Sequence, residues 1–382
     1  MEYSMILELE DLRTLYHKRV PKMFRGYAES GSWSQQTLAD NVQDFKKIYF
    51  RQRVARELEP LSLETTLLGT NYKMPLGLAP VGLLGMQHAD GEIKAARAAE
   101  RFGVPFTLST MSVCSMEAVA EATQSPFWFQ LYAQKDQDFT RSLIERAKAV
   151  RCSALVLTLD LQVIGKRHAD HRNGLSTKPG LTLKNILDMG RRPRWALNMA
   201  RTKNQSFGNI QGHAAGVDDM GDLMAWTAAS FDKNLNWDNV KRFRDQWDGP
   251  LIIKGIMETE DAEKCKAIGA EAIVVSNHGG RQLDGAPSAI SVLPEIVDNV
   301  GDGMEVWMDS GIRSGQDMLR AVALGAKAVL VGRPLVYAVG AMGEQGVTRM
   351  LEIFYEEAST TMAFTGHRDI SAVSRNDIIV RD

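Results

Sequence analysis

At 382 residues and 44% hydrophobic content the chain can bury a large core, and its length suits one barrel-sized domain with additions better than a string of small ones. A formal net charge of −2 gives no global reason to expect a nucleic acid partner, and no C2H2 finger or RNA-binding motif is present. Three cysteines, Cys114, Cys152 and Cys265, are odd in number, far apart and without metal-ligand spacing, which argues against a disulfide framework and for buried thiols in a reducing compartment.

The opening residues, MEYSMILELEDL, lack the basic start and long apolar run of a secretion signal. No window reaches the ~18 uninterrupted apolar residues of a spanning helix, so the chain is expected to be soluble or peripheral. Residues 8–58 read as helices and turns, with Pro21 starting a helix and Gly26 and Gly31 loosening its end; the N-terminal helical part is placed at 1–60. A regular alternation follows. Apolar runs at 76–82, 105–109, 127–132, 154–160, 250–255, 272–277, 305–311 and 328–333 make eight candidate strands, separated by helical patterns such as EIKAARAAERFG and GQDMLRAVALG. Strands separated by helices pair in parallel through right-handed crossovers, and eight such units close a barrel. The expected fold is a single α/β domain over 1–382: a (β/α)8 TIM barrel at 76–335, an N-terminal helical extension, and a final helix at 344–366.

One spacing breaks the rhythm. After the fourth strand comes a long insertion, placed at 173–236, on the side of the barrel where active sites lie. It contains RRPRWALNMARTK, in which Arg191, Arg192, Arg194, Arg201 and Lys203 surround Trp195, Leu197 and Met199. Such a mixture suits a segment lying in an anionic membrane surface, and equally a lid or subunit contact with solvated arginines.

The last residues of the strands should share one rim: Pro80 with Gly82, Ser109, Gln130 with Tyr132, Thr158 with Asp160, Lys254, Ser276, Asp309 with Gly311, and Gly332 with Arg333. Met111 and Trp128 are expected on the same rim. Small donors and acceptors in this number suit a large planar polar ligand; a metal finds no His or Cys pair. The seventh and eighth strands end in DSGIR and GRP, where glycines expose N–H groups and Arg313 and Arg333 add charge, as in the phosphate sites of barrels. The stretch AIVVSNHGGRQLDG, 272–285, places His278 and Arg281 just past a buried strand. An imidazole exchanges protons near neutral pH and a guanidinium grips a carboxylate with two hydrogen bonds, so the pair reads as a base beside an anchor for an acid substrate. A lone HxxR would read only as a glycine-rich surface turn; the position after a buried strand favours function.

SNHGGRQLDG, taken with LAPVG, TLST, QLY, TLD, KGI, DSGIR and GRP in order, resembles the FMN-dependent α-hydroxy acid oxidising enzymes over nearly the whole chain. LSLETTLLG, LAPVGLLGM, PFTLSTMSVC and WDGPLIIKGI look most like the respiratory L-lactate dehydrogenase branch. The resemblance implies that His278 is the base, Asp160 its counter-charge, and Tyr132 the partner of the reacting oxygen. Tyr27, Arg167 and Arg281 would bind the substrate carboxylate. Lys254 would sit against the flavin, with Pro80, Val81, Gly82, Ser109, Gln130, Thr158 and Ser276 around the ring, and Asp309, Gly311, Arg313, Gly332 and Arg333 around the ribityl and phosphate. The implied activity is oxidation of an L-2-hydroxy acid, L-lactate foremost, with electrons passed to a quinone or other acceptor at the cytoplasmic side of the inner membrane by a peripheral homo-oligomer. The alternatives within the family are an oxidase that makes hydrogen peroxide and an (S)-mandelate dehydrogenase; outside it, a redox-inert flavin sensor. Two departures bear on this. Gln162 stands where many members have proline, leaving the course of that loop open. Gly82 stands where strongly oxygen-reactive members often have alanine, and leans the reading towards a dehydrogenase.

Overall fold

Each of the eight apolar runs carries a strand in the computed structural model, which describes residues 3–174, 182–212, 226 and 229–381. They are β1 (Leu76–Leu78), β2 (Thr107–Ser109), β3 (Trp128–Tyr132), β4 (Ala154–Thr158), β5 (Leu251–Ile256), β6 (Ala272–Val275), β7 (Glu305–Met308) and β8 (Ala328–Val331). All pair in parallel, in the order β1-β8-β7-β6-β5-β4-β3-β2. A bridge between Leu78 and Phe106, with the Leu78 N–H on the Pro105 carbonyl at 2.8 Å, joins the two ends of that order. The result is the expected (β/α)8 barrel with its N-terminal helical extension and its insertion after β4.

The strands are buried on both sides because helices cover their outer faces and side chains fill the barrel. Along each strand alternate residues point inward. Trp128, Val156, Ile252, Val274, Trp307 and Leu330 form one apolar layer inside the barrel. Two residues further along the same strands come Gln130, Thr158, Lys254, Ser276, Asp309 and Gly332. The same periodicity that packs the barrel therefore delivers a ring of polar groups to its C-terminal mouth. It also corrects the placement of Trp128. That indole is not on the rim but stacks on Trp307 in the apolar layer, with ring centroids 5.1 Å apart and planes 16° apart.

The N-terminal extension runs over the barrel mouth as α1 (Leu9–Arg19), α2 (Lys22–Glu29) and α3 (Gln36–Gln43). Pro21 caps α2 as expected, but Gly26 does not loosen it. The helix continues through Gly26, whose missing side chain admits Asn173; a Cβ there would lie 2.1 Å from the Asn173 Nδ2. The final helix, Glu344–Thr365, packs on Arg333–Met342. Cys114, Cys152 and Cys265 are buried and unpaired.

Part of the insertion lies outside the described residues. The rest includes α4 (His168–Asn173), which leads into it, then α5 (Leu183–Gly190) and α6 (Pro193–Arg201). The Trp195 indole turns inward: its Nε1 donates to the Met86 carbonyl at 3.0 Å and its ring packs on Phe24. Arg192 likewise bonds the Lys18 carbonyl and lies 3.7 Å from Asp188. Trp195 and Arg192 therefore dock the insertion on the extension, and what faces outward from α5 and α6 is Leu183, Ile186, Leu187 and Leu197. No helix among the described residues is long and apolar enough to cross a membrane.

Candidate active site

At the barrel mouth lies a cavity lined by residues from the strand-end loops, from the extension, and from the segments flanking the insertion.

His278 stands at its centre. The residue has φ +58°, and Gly279 and Gly280 follow at +66° and +71°, three successive left-handed residues just past β6. Both glycines are required. A Cβ on Gly279 would sit 2.6 Å from Arg333 Nη1, and one on Gly280 2.5 Å from the Leu38 backbone nitrogen of α3. The turn aims the imidazole at Asp160, whose Oδ1 lies 2.8 Å from Nδ1. An ionised carboxylate can only accept, so Nδ1 carries the proton and Nε2 keeps its lone pair free for a substrate. Burial alone would raise the Asp160 pKa, but His278 and then Lys254 more than offset it and hold the carboxyl below its ordinary value. Its position depends on a glycine given no role from sequence. Gly255, at φ +101° beside the irregularity in β5, leaves room for the Asp160 side chain, whose Cβ would be 2.7 Å from any Cβ there.

Lys254 is 4% exposed, bonds Ser276 Oγ at 2.6 Å and pairs with Asp309 at 2.9 Å. Burial works against its charge, yet Asp309 and Asp160 prevail and raise its pKa, so it is a fixed cation. Tyr132 is buried, with Phe231 edge-on at 5.4 Å. Burial first and Asp160 second push its phenol well above the ordinary value, keeping it a neutral hydroxyl.

Arg281 is partly committed within the protein. Its Nη1 is already committed to the carbonyls of Tyr27 and Ser30, and its guanidinium lies 4.7 Å from the Tyr27 ring centroid. A two-bond grip on a carboxylate therefore falls to the edge formed by Nε and Nη2, which bond no described residue. Arg167 bonds Asp170 at 2.6 Å through Nε, so its charge is partly answered within the protein. Asp170, which sequence reasoning passed over, is buried and also accepts from Ser30 Oγ; its signal was the i,i+3 spacing to Arg167 on a short helix. Missed as well were Leu161, Ile164 and Phe231, which join Met111 as apolar lining. Gln162, the departure from the family's proline, ties its loop down by donating to the Leu235 carbonyl at 2.8 Å. Gly82 has Met111 Cβ 3.1 Å and the Tyr27 hydroxyl 3.5 Å from where a Cβ would stand, so alanine would press on both.

The far end of the cavity is cationic. Arg313 and Arg333 form no ion pair with a described carboxylate, and burial lowers both pKa values. Arg333, further opposed by Arg313 and Arg281, is pushed down to about 9. Clustered, desolvated guanidiniums beside the Gly311 and Gly332 turns are costly without an anion, and a phosphate dianion supplies the missing charge. Thr158, which lines the cavity, and Gln130, behind Ser109, keep Oγ1 and Nε2 buried without a partner among the described residues, as groups that would bond a flavin edge do. Pro80, Val81, Ser109 and Asp309 also line the space, and Ser109 is held by Gln130 Oε1 at 3.0 Å. The donor set fits FMN along the whole length of the cavity.

Comparison with known proteins agrees. The FMN-dependent dehydrogenase family matches residues 16–380. The chain is 44% identical to an L-lactate dehydrogenase of Azorhizobium caulinodans and 42% identical to one of Ectopseudomonas mendocina, covering 97% of this chain and 97% and 98% of theirs. Among solved structures it is similar to the monotopic membrane protein (S)-mandelate dehydrogenase, with TM-score 0.93, 34% identity, and 99% and 100% of the two chains covered. A mandelate oxidase solved with (S)-4-hydroxymandelic acid gives TM-score 0.84 at 34% identity over 98% of each chain.

Proposed function

The chain belongs to the FMN-dependent dehydrogenase family, and from that premise we propose that it oxidises L-lactate to pyruvate and passes the electrons to a quinone or another respiratory acceptor. It is an FMN-dependent hydroxy acid dehydrogenase. FMN, when bound, supplies the two-electron acceptor. The chain's own residues do the rest. His278 Nε2 takes a proton from the substrate, and Asp160 stabilises the imidazolium. The Nε and Nη2 edge of Arg281, with Tyr27 and Arg167, holds the carboxylate. The neutral Tyr132 hydroxyl bonds the oxygen that becomes a carbonyl, and the Lys254 cation would offer a fixed positive charge to the bound ring. The observation that carries the reading is the His278–Asp160 pair facing an apolar-walled cavity whose other end holds Arg313 and Arg333, bonded to main-chain carbonyls but with no described carboxylate paired to either.

L-lactate is favoured over mandelate by the curated relatives, whereas the likeness to (S)-mandelate dehydrogenase keeps the aromatic acid as the second reading. A peroxide-forming oxidase is disfavoured by Gly82, and a redox-inert sensor has no use for a desolvated base with its counter-charge. Adding L-lactate, glycolate and (S)-mandelate separately to the anaerobic holoenzyme separates these: lactate should bleach the flavin fastest, and admitted air should restore its colour slowly. Fastest bleaching by mandelate would transfer the assignment to that acid, and rapid recolouring would make the protein an oxidase.

The outward leucines support peripheral contact with an anionic membrane. Leu183, Ile186 and Leu187 share one face of α5 at i, i+3 and i+4, and Leu197 follows on α6, with Arg191, Arg194 and Arg201 exposed around them. Replacing the four with serine should move the protein from sedimenting anionic vesicles to the supernatant without loss of flavin. A parent protein that stays in the supernatant would refute the contact.

A further inference from the structure

We propose that Asn41, on α3 of the N-terminal extension, is a positioning residue for the base. It acts through Asn277 to lock the left-handed turn that carries His278. This rests on the proposed role of His278.

Asn41 and Asn277 are 236 residues apart and both buried, and their side-chain amides bond reciprocally at 2.8 and 2.9 Å. The orientation of each amide is set by backbone groups that cannot swap roles. Asn277 Oδ1 accepts from the Gly280 N–H at 3.1 Å and its Nδ2 donates to the Pro287 carbonyl at 3.0 Å. Asn41 Oδ1 accepts from the Ala289 N–H at 3.2 Å. Asn41 Nδ2 must therefore be the donor to Asn277 Oδ1, the same oxygen that holds Gly280. A buried network of this kind leaves little freedom, because every alternative arrangement strands a donor or an acceptor.

The network holds a conformation that does not hold itself. A histidine at φ +58° followed by two left-handed glycines is sparsely populated in a free chain and persists only where surroundings over-determine it. Those surroundings are largely the extension. Ser32 N–H donates to the Gly280 carbonyl at 2.9 Å, and Ser32 Oγ to the Arg281 carbonyl. Asp284 accepts from the Ser34 and Thr37 N–H groups at the start of α3. Asn41 also reaches the cofactor side: its carbonyl would be 1.9 Å from a Cβ on Gly311, in the turn after β7. One residue of α3 thus braces both the turn that presents the base and the turn that lines the phosphate end.

The sharpest test is Asn41→Asp, which preserves shape and the acceptor for Ala289 but sets a carboxylate oxygen against Asn277 Oδ1. Misplacing a reacting group by about 1 Å can cost about 10²-fold in rate. The expected result is a 10- to 10²-fold slower anaerobic reduction of FMN by L-lactate. FMN content, sulfite affinity of the flavin and the dissociation constant for lactate should stay within about twofold of the parent, where unperturbed binding leaves them. Asn41→Ser, which removes the amide and with it both bonds to Asn277, should slow reduction in the same way and serves if the aspartate variant does not fold. An unchanged rate in either folded holoenzyme overturns the proposal. So does a loss explained by lost FMN or weakened lactate binding, which would mean a structural role only. His278→Gln run in parallel separates the two readings: a His278→Gln enzyme that still turns over removes the base itself, whereas an inert one beside unimpaired Asn41 variants removes only the positioning role.

Discussion

Arg281→Lys is expected to lower kcat/KM for L-lactate by roughly 10²- to 10³-fold, most of it in KM, with flavin content unchanged. The lysine keeps the positive charge but loses the planar fork, and three separate duties rest on that plane. Nη1 holds the Tyr27 and Ser30 carbonyls, the face lies against the Tyr27 ring, and the Nε and Nη2 edge is left to meet a carboxylate. Hydrogen bonds to charged groups contribute about 1.5–3 kcal/mol each, so losing one or two of them accounts for the factor quoted. A carboxylate anchor acts on bound substrate and transition state almost alike, so KM bears most of the loss. Steady-state kinetics with lactate checks this; values within a few-fold of the parent would show that the carboxylate is held elsewhere, with Arg167 the first candidate.

Much of this site is legible in the sequence. The barrel strands were legible because a strand buried on both faces is a short apolar run, and eight of them at regular spacing admit few folds. The polar ring was legible for the same reason, since Lys254, Ser276 and Asp309 interrupt apolar runs where burial would otherwise exclude them. Trp128 was misplaced because the rim was counted as a list of strand ends. Inward residues alternate, and two steps back from Gln130 lies the apolar layer, where the indole stacks on Trp307.

What stayed hidden depends on contacts between distant parts of the chain. Nothing near Asn41 announces a partner 236 residues away, and Asn277 reads as a turn residue until its amide is seen to hold Gly280. Gly255 looked like the end of a strand, whereas its role is to make room for Asp160. Trp195 was weighed as a membrane anchor on composition alone; its bond to Met86 shows that amphipathic composition does not say which face turns outward. What meets the glycines of HGG also comes from far along the chain: Arg333 lies against one and the α3 backbone against the other.

The account as a whole depends on His278 being the group that accepts the proton, and the most direct measurement is stopped-flow reduction of the His278→Gln holoenzyme by L-lactate without oxygen. Glutamine fills a similar space and can still donate towards Asp160, but it offers no nitrogen lone pair with a pKa near neutrality. His278 bonds Asp160 rather than the cationic end of the cavity, so the variant should purify yellow with its full complement of FMN. General-base catalysis contributes about 10²- to 10⁴-fold, and the reduction rate should fall by that much. Reduction within tenfold of the parent rate, in a variant that retains FMN, would contradict the assignment and with it the reading of the cavity built around that imidazole.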